Sequence, residues 1–108
     1  MAETTSQLKP IIRRFRAELE KMGIHIDRVM LFGSQATRTA WDGSDFDLII
    51  ISPDFAHYSQ RERLEMLGIA AARILEPIQA NGFTPEEIDK RQLTPFWEQI
   101  LQEQAIAV

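Results

Sequence analysis

The sequence predicts one small α/β domain, and three observations predict it. Apolar residues recur at three- and four-residue spacing between Leu8 and Met22, as on one face of a helix. Two short apolar runs follow, IDRVMLF and DFDLIIIS, and the second is apolar on both faces after its opening residues, as in a strand covered by helices on each side. Helix starts carrying cap residues then alternate with further apolar stretches, the order expected of layered α/β architecture. At 108 residues and 44% hydrophobic content the chain fills one core, so residues 1–108 are expected to form a single domain.

Each element has its own local reason. Leu8, Ile11, Ile12, Phe15, Leu19 and Met22 make the apolar stripe of the first helix, with Arg, Lys and Glu between them, and Gly23 supplies its C-terminal stop. IDRVMLF is β-branched and aromatic and predicts a strand ending at Gly33, whose turn leads into a short helix over Gln35 to Thr39. Trp41-Asp42-Gly43-Ser44 is turn chemistry, and DFDLIIIS is the second strand. Ser59 and Glu62 have capping-box spacing and open a helix through Leu64, Leu67, Ala71, Ile74 and Leu75, which Pro77 is expected to end. PIQANGF is the weakest strand signal: Asn81-Gly82 is also a turn pair, and only Ile78, Ala80 and Phe83 are apolar. Thr84-Pro85-Glu86-Glu87 joins an N-cap, a proline at the first helical position and a glutamate three residues after the cap. Thr94-Pro95 opens a last helix through Phe96, Ile100 and Leu101, and AIAV reads as a closing edge strand.

Composition narrows the function classes. A formal net charge of −4 argues against direct nucleic-acid binding, which needs a concentrated basic footprint. There is no cysteine, so disulfides and thiolate metal sites are excluded and any metal is held by oxygen or histidine. The N-terminal stretch lacks the pattern of a signal peptide, and no apolar run approaches the roughly 18 residues of a membrane span, so a cytoplasmic protein without a membrane partner is expected.

The chemistry concentrates in LFGSQATRTAWDGSDFDLIII, Leu31 to Ile51. Asp45 and Asp47 share one face of an extended strand, with about 7 Å between their Cα atoms. Two carboxylates that close repel each other unless a cation joins them, and Mg²⁺ or Mn²⁺ prefers such hard oxygen ligands and leaves positions for phosphate oxygens. Gly33 and Ser34 open a helix whose free N–H groups attract phosphate, and glycine allows the close approach. Alone, a Gly-Ser after a strand is ordinarily a turn and cap, and an Asp-x-Asp at a strand entry is ordinarily turn chemistry or edge protection. The joint pattern, Gly-Ser, ten residues, then Asp-x-Asp-Leu between two apolar strands, is far more specific. It predicts a site for a nucleoside triphosphate: amides and the Ser34 hydroxyl on the phosphates, Asp45 and Asp47 on the metal.

The same residues resemble the minimal nucleotidyltransferases (MNT type) of the DNA polymerase β superfamily, and the resemblance runs from about Val29 to the C-terminus. GFTPEEIDKRQ is similar to a Tyr/Phe-Thr-Pro-Glu-Glu segment that follows the third strand in small members. The resemblance implies a small mixed sheet flanked by helices, Gly33 and Ser34 at the triphosphate, and Asp45 and Asp47 as catalytic metal ligands. It also implies a HEPN-like helical protein partner, to which some such proteins transfer AMP as antitoxins. The acceptor surface is then expected on that partner or on a second copy in a homo-oligomer.

Two departures matter. Gly33-Ser34-Gln35-Ala36-Thr37-Arg38 lacks two arginines and a glycine of the family's usual run, with Arg38 as partial compensation. The family's third carboxylate usually comes from a Pro-apolar-Asp triplet, and here that triplet is Pro77-Ile78-Gln79. A glutamine cannot act as general base, so the alternative is a degenerate nucleotidyltransferase fold that binds without catalysis; Glu76 is the substitute carboxylate to consider. Elsewhere the plain readings prevail: His57 and Tyr58 as loop surface, His25 as a strand-edge residue, Arg13, Arg14 and Arg16 as a solvated helix face, and Phe96 and Trp97 docking the last helix. Trp41 beside the acidic turn has two readings, packing over the turn, or an exposed aromatic that stacks on a base or fills a partner pocket.

Overall fold

A computed structural model describes residues 3–32, 46–90 and 93–107. Helix α1 (Glu3–Lys21) starts before the predicted Leu8 and runs through Pro10. The proline removes one backbone donor. The helix continues because Leu8 before it and Ile12, Phe15 and Leu19 after it are buried in one core. It ends as predicted at Gly23, whose φ is +89°: the Ile24 N–H bonds the Leu19 carbonyl and the Gly23 N–H bonds that of Glu20, both at 3.0 Å, satisfying the last helical carbonyls.

Strand β1 (Arg28–Phe32) pairs antiparallel with β2 (Phe46–Ile51). The predicted helix at Gln35 to Thr39 and turn at Trp41 to Ser44 lie outside the described residues. After β2 comes a 3₁₀ turn, Pro53–His57, which the sequence did not announce. Ser52 caps it, accepting from the Asp54 N–H at 3.1 Å and donating to the His25 carbonyl at 2.6 Å. Asp54 in turn accepts from the backbone N–H of His25 at 2.8 Å, with His25 Nδ1 3.1 Å away. The backbone bond, followed by the ring contact, holds the Asp54 carboxyl below its ordinary value. His25 thus helps tie β2 to the chain entering β1.

Helix α2 (Gln60–Arg73) carries the predicted capping box, with both the Ser59 and Glu62 bonds formed. It stops earlier than Pro77. Leu75 takes φ 57°, and the N–H groups of Leu75 and Glu76 bond the carbonyls of Ala72 and Ala71. This is the closure glycine usually makes, here with a leucine at a cost of roughly 1–2 kcal/mol. Strand β3 (Ile78–Phe83) then pairs parallel with β2, a connection that needs a crossover such as α2. Asn81-Gly82 is strand, not turn. A Cβ on Gly82 would lie 2.7 Å from the Phe55 ring, so glycine is there for a buried aromatic to pack against.

Helices α3 (Pro85–Asp89) and α4 (Pro95–Gln99) start at Thr84 and Thr94 as predicted, and α4 continues through a wider turn, Ile100–Gln104. Strand β4 (Ile106–Ala107) pairs antiparallel with β1, giving a mixed four-stranded sheet in the order β3-β2-β1-β4. On one face Val29, Leu31, Leu48, Ile50 and Ala80 meet α1 and α2. On the other, Met30, Phe32, Ile49, Ile51 and Phe83 meet Ile88, Leu93, Trp97, Ile100 and Leu101. The double-sided burial of β2 is what its apolar run predicts. Among the described residues no helix is long and apolar enough to cross a membrane.

Among the described residues one charged side chain is buried. Arg63, 4% exposed, donates from Nε to the carbonyls of Phe55 and Tyr58, from Nη1 to that of Gly82, and from both Nη atoms to Glu87 at 2.9 and 3.0 Å. Glu87 also accepts from the Thr84 N–H at 2.9 Å. A single guanidinium therefore joins α2, the 3₁₀ turn, the end of β3 and the start of α3.

Candidate active site

The candidate site lies at the opposite end of the sheet, where β2 begins. Asp47 stands in register with Phe32, the last residue of β1, on one side and with Gln79 of β3 on the other. Residues directly opposed across strands about 4.8 Å apart present their side chains to the same face. Strand alternation puts Asp47 on the face of Ile49 and Ile51, beneath the C-terminal helices rather than α1. Phe32, Asp47 and Gln79 thus make one row across the mouth of the sheet. Phe32 is half-buried, Asp47 half-buried and Gln79 exposed.

The chain passes from Phe32 directly into Gly33 and Ser34, so the predicted phosphate-binding pair is covalently next to the Asp47 row. Gly33, Ser34 and Asp45 themselves lie outside the described residues. Asp47 is the described member of the candidate metal pair. Among the described residues there is no group of three or more histidines or carboxylates placed to hold a metal. Asp47 offers a hard carboxylate oxygen and Gln79 an amide oxygen level with it, a donor chemistry that suits Mg²⁺ or Mn²⁺.

The register also decides between Gln79 and Glu76. Gln79, not Glu76, is level with Asp47. Glu76 precedes β3 and forms an ion pair with Arg14 of α1, on the other side of the sheet. Its carboxylate helps fix α1 to the start of β3, so Arg14 is not merely part of a solvated face. Between the outer edge of β3 and α2 a groove of about 340 Å³ is lined by Leu64, Gly68, Ile78, Gln79, Ala80 and Asn81.

Aromatic side chains frame the other end. Trp97 stacks edge-on against Phe32 at 5.5 Å and against Phe83 at 5.3 Å, docking α4 as predicted. Phe96 does not dock: it is 63% exposed, touching Trp97 at 5.2 Å. His57 is exposed at the end of the 3₁₀ turn, and Trp41 lies outside the described residues. The residue that sequence reasoning missed is Arg63. In Gln60-Arg61-Glu62-Arg63 it looks like one more surface charge, and only its helical phase beside Leu67 and Ala70 hints at burial.

The sequence matches the family "Polymerase beta, Nucleotidyltransferase" over residues 15–81, a span that includes Gly33, Ser34, Asp45, Asp47 and Gln79. The fold is similar to the crystal structure of a "putative nucleotidyltransferase" from Sulfolobus solfataricus, with a TM-score of 0.64 over 97% of this chain and 82% of that one. At 15% identity the likeness is one of fold. No curated protein shows a significant sequence match.

Proposed function

Because the chain belongs to the polymerase beta nucleotidyltransferase family, we propose that it binds a nucleoside triphosphate with Mg²⁺ or Mn²⁺ and transfers the nucleotidyl group to a hydroxyl. The observation that carries this reading is the register that sets Asp47 beside the strand end leading into Gly33-Ser34. Asp47 and Asp45 would hold the metal, while the backbone at Gly33 and the Ser34 hydroxyl would hold the outer phosphates and orient the leaving pyrophosphate. A bound divalent cation would supply charge neutralisation at the α-phosphate. In the transfer the acceptor oxygen forms a bond to the α-phosphorus, the bond from that phosphorus to the bridging oxygen breaks, and pyrophosphate departs. The acceptor's proton needs a base.

Gln79 supports a second reading at that step. Its amide cannot take up the proton, and Glu76 is committed to Arg14. In this reading the fold binds metal-nucleotide and acts on its partner by association. In both readings the partner is a HEPN-like helical protein, which the enzyme would modify with AMP and the binding protein would merely cover. The experiment is calorimetry with MgATP on the wild-type chain and on Asp45→Asn/Asp47→Asn, paired with label transfer from [α-³²P]ATP to the partner. Metal-dependent binding lost in the double variant supports the nucleotide site, and equal affinity in both chains removes it. Transfer selects the enzyme, while binding without transfer selects the covering protein.

A further inference from the structure

A single exposed apolar side chain is ordinary on a protein surface. Phe96 differs in what stands behind it. It is 63% exposed and packs edge-on against Trp97, with ring centroids 5.2 Å apart and planes at 77°. Trp97 makes the same kind of contact with Phe32, 5.5 Å away and at 79°, and Phe32 is the strand partner of Asp47. A series of three rings therefore starts beside the candidate metal ligand and ends at an aromatic facing solvent. Phe83, 4% exposed, braces Trp97 from the far end of β3, so the middle ring is held on two sides by the sheet. Phe96 and Trp97 lie beyond residues 15–81, so the family match does not account for them.

We propose that Phe96, supported by Trp97, is the stacking platform for the base of the bound nucleotide. The proposal rests on the nucleotide-binding reading above and adds to it where the base lies. The logic is one of division. Metal and phosphate contacts at Asp47 and Gly33-Ser34 are the same for every nucleotide, whereas the energy that distinguishes a nucleotide from bare polyphosphate must come from a surface meeting the base. An aromatic ring supplies it for any base, because every base has a π-face, and the platform favours the larger purines over pyrimidines without reading their edges. Two ring contacts separate Phe96 from Phe32, the strand partner of Asp47.

The test uses the full chain and two probes, MgATP and magnesium tripolyphosphate, measured by calorimetry. Phe96→Ala should weaken MgATP binding about 5- to 100-fold, the range of a lost base stack, while tripolyphosphate affinity stays within about twofold. Phe96→Trp should restore MgATP affinity. In a Trp41→Phe background Trp97 is the remaining one of the two tryptophans, and its fluorescence should respond to MgATP but not to tripolyphosphate. Phe96 is exposed, so its loss should leave the fold intact, and a thermal melt of the variant checks this. If MgATP binding needs Asp47 yet is unchanged in Phe96→Ala, the platform is wrong and the nucleotide site stands. If MgATP does not bind, or binds equally well to Asp47→Asn, the nucleotide reading and the platform fall together.

Discussion

The two ends of β2 are built from similar polar materials and buried to different depths. At its exit, Arg63 sits inside the protein with its donors directed at three carbonyls and the Glu87 carboxylate. At its entry, Asp47 lies in a row with Gln79 that reaches the exposed edge of β3. A buried charge persists only when its partners are all in place, so the exit end closes on itself and serves the fold. The entry end stays half-buried or exposed, where a ligand can still reach it. The two ends thus differ in burial: the charge at the exit is enclosed together with its partners, while the row at the entry runs out to the exposed edge of the sheet.

Substitutions at the two ends should therefore act on different observables, and the largest stability effect belongs to the exit. Arg63→Met should cost about 3–5 kcal/mol, because it strands a partly buried carboxylate and three carbonyls while filling the same space, and urea unfolding would measure it. A pH titration sharpens the same point. The Arg63 hydrogen bonds, chiefly, hold the Glu87 carboxyl below its ordinary value of 4.5. A depressed folded value contributes stability above the unfolded value and loses it as pH falls through the folded one. Wild-type stability should accordingly decline as pH drops below about 4.5, and Arg63→Met should flatten that part of the curve.

Gly82→Ala comes next. The added methyl would meet Phe55, a fully buried ring, at 2.7 Å, and overpacking of this kind costs about 1–3 kcal/mol. An unchanged unfolding midpoint would mean that the ring has room the packing does not suggest. Smallest in stability is Gln79→Asp, at the entry. A second carboxylate level with Asp47 should cost less than about 1 kcal/mol without metal, and Mg²⁺ should reverse the loss. Its effect on chemistry should be much larger: if Gln79 is what slows transfer, the aspartate should raise the rate roughly 10²- to 10⁴-fold, the usual worth of a general base. A variant with no gain in label transfer would break the contrast between the two ends, since the missing base would then not be the entry's defect.

What could be read from the sequence alone was whatever depends on near neighbours in the chain. The stripe of α1, the caps at Ser59, Thr84 and Thr94, the stop at Gly23 and the two-faced apolar run of β2 are all local, set by helical or strand periodicity and by side chains bonding to backbone within a few residues. The Gly-Ser and Asp-x-Asp spacing was legible for the same reason, and it led to the family before any fold was known. Tertiary structure decided what distant segments do to one another. Asn81-Gly82 has turn propensity but becomes strand because β2 offers a parallel partner and Phe55 occupies the space over the glycine. α2 ends before its proline because Leu75 turns left-handed. Arg63 looks exposed until the sheet and α3 close around it. Whether Gln79 or Glu76 faces Asp47 was a question of register and of a salt bridge 62 residues along the chain, and no local pattern contains either, because both exist only once the strands have paired and α1 has packed.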